Sequence, residues 1–310
     1  MKWFKIRNQV EKTFTKWWFD NVLRDAVSNF LPIPSKFHMN SIFLSPLGVY
    51  AQDDINRIVS RCLSSLNSYM KTYTKYVPPP VIDNNTVIFC NENIRVGEYQ
   101  MKVMRDRLHT DASEMFIAME VLMLHSLGSL MEHLSLPPHI LNILGINVEL
   151  FGTPMNTTLK RFCSPFYDVD HVFGSLGSFM KYEMENDTLY TFNPPYDDDL
   201  MHECAIRLIN QMKNLSGVHI LCLLPVWDAD TQREMKVPVY SEDRFRALDT
   251  LCTSSYLRRK AVLEKNMYPY FNYFDSKYVS VSHTHMLVLS TDDTLPDHWN
   301  VDAILNVWNK

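Results

Sequence analysis

The sequence predicts an α/β protein with a helical first part and a sheet core behind it. Three observations predict this. Apolar residues recur at helical spacing up to about residue 144, and from residue 146 onward short apolar runs alternate with helical stretches. The run 218–224 (VHILCLL) is almost unbroken in its apolarity, as in a strand buried on both faces. Such alternation over ~150 residues gives a parallel or mixed sheet with helices on both faces. The expected domains are therefore a helical one over residues 1–144 and an α/β core over residues 145–310.

Taken in order, the first helix is expected over residues 2–29. It mixes Lys2, Lys5, Arg7, Lys12 and Lys16 with Trp3, Phe4, Phe14, Trp17, Trp18 and Phe19. Aromatic faces with interleaved lysines can stack on bases and meet phosphates, or form the packed stripe of an amphipathic helix. A second helix covers residues 53–73, and Pro78, Pro79 and Pro80 then stiffen the connection. Another helix runs from Glu98 to Leu108. The next begins at the capping box Asp111-Ala112-Ser113-Glu114. Pro137-Pro138 opens a short helix that ends at Gly145, a residue suited to a left-handed cap.

The period then shortens. Residues 146–151 read as a strand entering the turn Gly152-Thr153-Pro154-Met155-Asn156, and residues 161–166 as a weaker strand. Residues 188–192 form a strand that stops at Asn193-Pro194-Pro195-Tyr196. Asp197, Asp198 and Asp199 follow at the start of a helix reaching about Asn214, where negative charge is favourable. Residues 278–290 read as one long strand, preceded by a basic helix or loop at Arg258-Arg259-Lys260. In open sheets of this kind ligands bind beyond the carboxyl ends of the strands. The turns at 152–156 and 193–196 are expected there.

Composition narrows the function classes. Only 8 of 310 residues are glycine, and neither G-x-G-x-x-G nor G-x-x-x-x-G-K-[ST] occurs, which argues against a glycine-rich phosphate loop. A net charge of −5 argues against a surface coated in cations for long duplexes; a cap or a chain end suits local basic contacts better. The six cysteines lie far apart, with no C-x-x-C pair, and read as reduced thiols of an intracellular protein in nucleus or cytoplasm. No signal peptide is visible, and the most apolar helix carries Glu120, His125 and Glu132, so no membrane span is expected.

Asn193-Pro194-Pro195-Tyr196 is the motif that carries chemistry. An exocyclic amino group attacking a methyl on a sulfonium must be held in line, with its N–H bonds accepted by oxygen. The Asn193 side-chain oxygen and the Pro194 carbonyl are candidate acceptors, and the two proline rings fix their convergence. Tyr196 offers a flat face for an unpaired base. Positioning then supplies most of the catalysis, and no strong base is needed. A stiff strand-to-helix turn is the structural alternative for the same residues.

Four segments resemble the catalytic region of the cap-specific adenosine N6-methyltransferases, the phosphorylated CTD-interacting factor family. Residues 149–156 (ELFGTPMN) resemble the family's E-C-F-A-S-P-L-N. Residues 162–170 (FCSPFYDVD) with 173–179 (FGSLGSF) resemble its C-S-x-F-x-D-x-D and F-G-S-x-G stretches. Asn193 to Tyr196 stands where the family has N-P-P-F, and residues 223–227 (LLPVW) resemble its I-P-E-W. Tyr196 replaces Phe, Leu176 stands where the family has Arg, and Val226 where it has Glu, so two charges are lost. No segment before Pro78 resembles a WW module.

The resemblance implies a Rossmann-like methyltransferase core preceded by a helical domain. It also implies S-adenosylmethionine as cofactor and the capped 5′ end of mRNA as substrate, methylated at N6 of the first transcribed adenosine. Carried onto this chain, Asn193, Pro194, Pro195 and Tyr196 hold the adenine. Pro154, Asn156, Asp168, Asp170, Phe173, Gly174 and Asn193 line the cofactor pocket, with Asp168 on the ribose hydroxyls and Asp170 as the alternative. Trp227 and His283 join Tyr196 as substrate-lining residues; Trp227 can equally pack, and His283 stands where the family has a histidine. A protein partner that completes the RNA groove is an open alternative. His283 and His285 face one side of a strand, yet a metal site needs a third ligand that the sequence does not show, so none is expected. Arg258 to Lys260 suits phosphates or a solvated face. Internal RNA, DNA adenine, a glutamine amide or a catalytically silent RNA-binding role are the competing functions.

Overall fold

The computed structural model describes residues 80–89, 92–108, 113–126, 134–237 and 245–308. The expected helices over 2–29 and 53–73 lie outside them. The chain divides into two compact units, Met1–Glu132 and His133–Lys310.

In the first unit, Val81–Asp83 (β1), Thr86–Phe89 (β2) and Glu92–Arg95 (β3) form an antiparallel sheet in that order. This corrects the expectation of a wholly helical first domain. The local signal was Asp83-Asn84-Asn85-Thr86 between apolar runs. Asp83 pairs with Thr86, and Asn84 takes φ 55°, a left-handed turn position that asparagine tolerates. The Asn85 side chain then donates to the Val96 carbonyl at 2.9 Å, tying the turn to the end of β3. Two helices follow where expected, Glu98–Arg107 (α1) and Ser113–Ser126 (α2).

The second unit is built on a six-stranded sheet. Leu134–Ser135 (β4) precedes the short helix Pro138–Ile143 (α3), which ends at Gly145 with φ 64°. Val148–Glu149 (β5), Arg161–Phe162 (β6), Leu189–Phe192 (β7) and His219–Pro225 (β8) are parallel neighbours in the order β6-β5-β7-β8. Between β6 and β7 lies the helical turn Tyr167–Asp170 (α4), and between β7 and β8 the helix Asp198–Met212 (α5). Two short helices, Ala229–Glu234 (α6) and Arg246–Cys252 (α7), lead to Leu257–Leu263 (β9). A hairpin of Tyr270–Asn272 (β10) and Lys277–Val279 (β11) pairs with β4. Thr284–Ser290 (β12) then inserts antiparallel between β8 and β9, and Val301–Trp308 (α8) closes the described chain. The full order is β6-β5-β7-β8-β12-β9, a mixed, mostly parallel α/β sheet compatible with a Rossmann-like core.

Two sequence expectations are corrected here. Arg258 to Lys260 belongs to strand β9, not to a helix or loop. As an edge strand it carries cations on exposed positions, which discourages a further strand from pairing. The apolar run 278–290 is two strands in different sheets, parted by residues 280–283.

The pattern of β8 and β12 explains the core. All seven residues of each are buried, and alternate side chains feed opposite layers. Cys222, Leu224, Leu287 and Leu289 pack with Met201, Cys204, Ala205 and Leu208 of α5 and with Leu248 and Leu251 of α7. Leu221, Leu223, Met286 and Val288 pack with Ile140 and Leu141 of α3, Trp299, and Ile304 and Trp308 of α8. No helix among the described residues is long and apolar enough to cross a membrane. Cys163, Cys204, Cys222 and Cys252 are free thiols, and burial pushes Cys163 and Cys204 up to about 12.

Candidate active site

Strand order decides where a site can form. From β5 the chain places β6 on one side and β7 on the other, so the order reverses between β5 and β7. A crevice opens beyond the carboxyl ends of the strands at such a switch point. The turn 152–156 leaves β5 there, and Asn193 to Tyr196 leave β7. Residues 168–174 follow β6, and Trp227 follows β8. Because β12 runs antiparallel, His283 precedes it at the same edge, where its carbonyl accepts the Val226 N–H at 3.0 Å. The sequence-predicted site residues therefore share one edge of the sheet.

Asn193 is half-buried and its Oδ1 is buried with no hydrogen-bond partner. Two residues earlier, on the same face by strand alternation, Thr191 Oγ1 is also buried without a partner. Buried oxygens lacking donors cost free energy, and here two of them sit at the switch point. Pro194 is buried and Pro195 exposed; the Pro195 carbonyl accepts the Asp197 N–H at 2.8 Å. Asp197 Oδ1 caps α5 by accepting the Leu200 N–H at 3.0 Å. Asp198 and Asp199 are both held by Arg246, at 2.8 and 2.5 Å. The acidic run thus serves the helix terminus and an ion-pair clamp.

Tyr196 is 41% exposed, so part of its ring is open. Burial of its hydroxyl end raises its pKa, opposed by hydrogen bonds with Tyr270, Thr284 and Ser282. Its ring meets Trp227 edge-on, with centroids 5.9 Å apart at 76°. Trp227 in turn leans on Phe245 at 5.6 Å. Trp227 packs against the core, as one of its two expected roles requires, and borders the open tyrosine.

The other predicted residues take up distinct positions. Asn156 Oδ1 accepts the Thr153 N–H at 2.6 Å, so this oxygen shapes its own turn; Pro154 is buried beside it. Asp170 and Phe173 are buried, and the side chain of Asp168 lies outside what is described. Gly174 has φ 103°, and a Cβ there would stand 2.1 Å from the Lys160 carbonyl oxygen. That close approach accounts for glycine at this position. His283 Nδ1 accepts the Lys265 N–H at 3.2 Å, which puts its proton on Nε2 when neutral.

Sequence reasoning missed several residues around this edge. Phe151 packs against Phe179 and Phe192 at 5.2 and 5.4 Å, an aromatic floor linking the ends of β5 and β7. Glu149 is buried and accepts the Ser135 hydroxyl at 2.7 Å. His285 Nε2 lies 2.5 Å from Asp228 Oδ2; the H-x-H spacing drew attention to a metal, while its partner was the aspartate after Trp227. Among the described residues no group of three or more His, Cys, Asp or Glu could hold a metal ion.

A mostly parallel α/β sheet thus carries two partnerless oxygens and an open aromatic ring at its switch point, the place where open α/β sheets take ligands. Comparison with known proteins is more specific. Residues 126–273, just under half of the chain, match the family described as Phosphorylated CTD interacting factor 1 WW domain. Over that span, which holds β4 to β10, the chain is similar to that family. A Mus musculus protein named mRNA (2'-O-methyladenosine-N(6)-)-methyltransferase is 34% identical over 98 residues, 30% of this chain and 14% of that protein. A Homo sapiens protein of the same name is 34% identical over 71 residues, 22% of this chain and 10% of its own length. The matched parts are thus a small share of those relatives.

Proposed function

We propose that this chain transfers a methyl group from S-adenosylmethionine to N6 of adenosine in RNA, at the first transcribed 2'-O-methyladenosine beside the mRNA cap. The observation that carries the proposal is Asn193 Oδ1, a buried acceptor without a donor, set between a parallel strand and a rigid Pro-Pro turn. An adenine amino group supplies the missing donor. Its second N–H suits the Pro194 carbonyl, and its ring suits the open part of Tyr196.

The residues present fit the cofactor. When bound, S-adenosylmethionine supplies an electrophilic methyl on a cationic sulfur. Partnerless oxygens on Thr191 and Asn193 favour positive charge and N–H groups at the switch point, and Phe151 provides an apolar wall. The turn at 152–156 and the segment from Asp168 to Gly177 would hold the remainder. Asn193 and Pro194 orient the amino nitrogen, while Tyr196 and Trp227 fix the plane of the base, so catalysis is mainly orientation. The proposed setting is an intracellular one, nuclear or cytoplasmic, with RNA as the partner.

The test is a methyl-transfer assay on capped and uncapped RNAs beginning with adenosine, followed by nucleoside analysis. Product at N6 of the cap-adjacent nucleotide on capped RNA is expected. Equal transfer to uncapped RNA or to DNA would remove the cap-specific part, and no transfer at all would remove the enzymatic one.

A further inference from the structure

We infer that His285 and Asp228 form a buried clamp that positions Trp227 against Tyr196, making His285 a positioning residue for the methylated base. The inference rests on the function proposed above for this site.

His285 is fully buried in the six-stranded sheet, paired in register with Leu224 of β8 and Val262 of β9. Its Nε2 donates to Asp228 Oδ2 at 2.5 Å, while Nδ1 is buried with no partner. Asp228 is ionised: burial works to raise its carboxyl, but hydrogen bonds from Thr231 and His285 outweigh burial and hold it below the usual range. Burial keeps His285 neutral against the pull of that carboxylate. The neutral ring therefore carries its proton on Nε2.

The same aspartate caps α6, with Oδ1 accepting the Thr231 N–H at 2.8 Å. On the other side of Trp227, the Val226 N–H goes to the His283 carbonyl at 3.0 Å. The Val226 carbonyl accepts from Gln232 Nε2 at 3.0 Å. Trp227 thus meets Tyr196 from a segment whose two other residues are tied to β12 or α6. A buried histidine at the start of β12, beside the apolar run Met286 to Leu289, carries a desolvation cost, and a leucine there would serve packing alone. Fixing the Trp227 backbone is the role that requires a donor at this place.

The test compares His285→Leu with His285→Gln, since glutamine keeps an N–H near the Nε2 position. Methyl transfer and hydrogen exchange are measured on the same full chains. The clamp predicts that His285→Leu lowers kcat about tenfold or more, leaves the KM for S-adenosylmethionine within about twofold, and speeds exchange at the Val226, Thr231 and Gln232 amides. His285→Gln should recover most of both effects. Equal losses in the two variants, or exchange that rises alike across β8 and β12, would show a structural role only and overturn the inference. Unchanged kcat and unchanged exchange in His285→Leu would overturn it too. If the wild-type chain transfers no methyl, the proposed function fails, and exchange at residues 226–232 still decides the clamp.

Discussion

At the scale of single residues, the site depends on atoms whose surroundings are incomplete or specially held. Tyr196 is the clearest example of the second kind. Its hydroxyl joins Tyr270, Thr284 and Ser282, while part of its ring stays open. Tyr196→Phe should therefore cost roughly 1 kcal/mol of stability through the lost hydrogen bonds yet retain methyl transfer, because the stacking face survives. Tyr196→Ala should lose transfer. Urea unfolding and initial rates on the two variants check this pair, and a Phe variant as inactive as Ala would show that the hydroxyl acts in the chemistry. Asn193-Pro194-Pro195-Tyr196 was legible in the sequence as a rigid turn at a strand end, because residue type, order and the preceding apolar run coincide there. Asp228 and His285 were not, because their partnership spans 57 residues and arises from the antiparallel insertion of β12.

Elements are positioned by a few local constraints that substitution can address directly. Gly174 combines φ 103° with a Lys160 carbonyl oxygen 2.1 Å from any added Cβ. Gly174→Ala should destabilise the second unit by roughly 3 kcal/mol, through left-handed strain plus a clash with backbone that cannot rotate away. Arg246 presents the opposite case. Its pairs with Asp198 and Asp199 are about half exposed, so Arg246→Ala should cost at most about 1 kcal/mol in chemical unfolding. A much larger loss would mean that the clamp between α5 and α7 organises the site. Strands β7 and β8 and helix α5 could be read from the apolar runs and from the acidic helix start at Asp197, Asp198 and Asp199. Strand β9 could not, since Arg258, Arg259 and Lys260 mimic a solvated helix face until β12 is known to leave an edge beside it. The run 278–290 concealed a change of sheet for a similar reason: alternation is alike in a hairpin and in a central strand.

For the whole molecule, buried histidines set a pH dependence. Burial lowers His285 and also His219, whose ring bonds Ser290 and is pulled back in part by Asp292. Each has a folded pKa below its unfolded value of 6.5. Below that value the unfolded chain takes up protons that the folded chain refuses, so their contribution is intact above pH 6.5 and declines as pH falls through it. Asp228 is likewise lowered, and its contribution is lost at still lower pH, below its usual 3.8. The melting temperature should therefore fall between pH 7.5 and 5, and His285→Gln should flatten part of that slope. A melting temperature that rises over this interval would reverse the assigned directions.

The central claim is that Asn193 Oδ1 lacks a partner because an adenine amino group is to provide one. The most direct measurement is single-turnover methyl transfer to capped, adenosine-initiated RNA by the wild-type chain and by Asn193→Ala, with S-adenosylmethionine affinity determined by calorimetry on both. The expected rate is lower by roughly a hundredfold or more in the variant, with cofactor affinity changed by less than about threefold and the melting temperature unchanged. A variant that transfers methyl at the wild-type rate would contradict it.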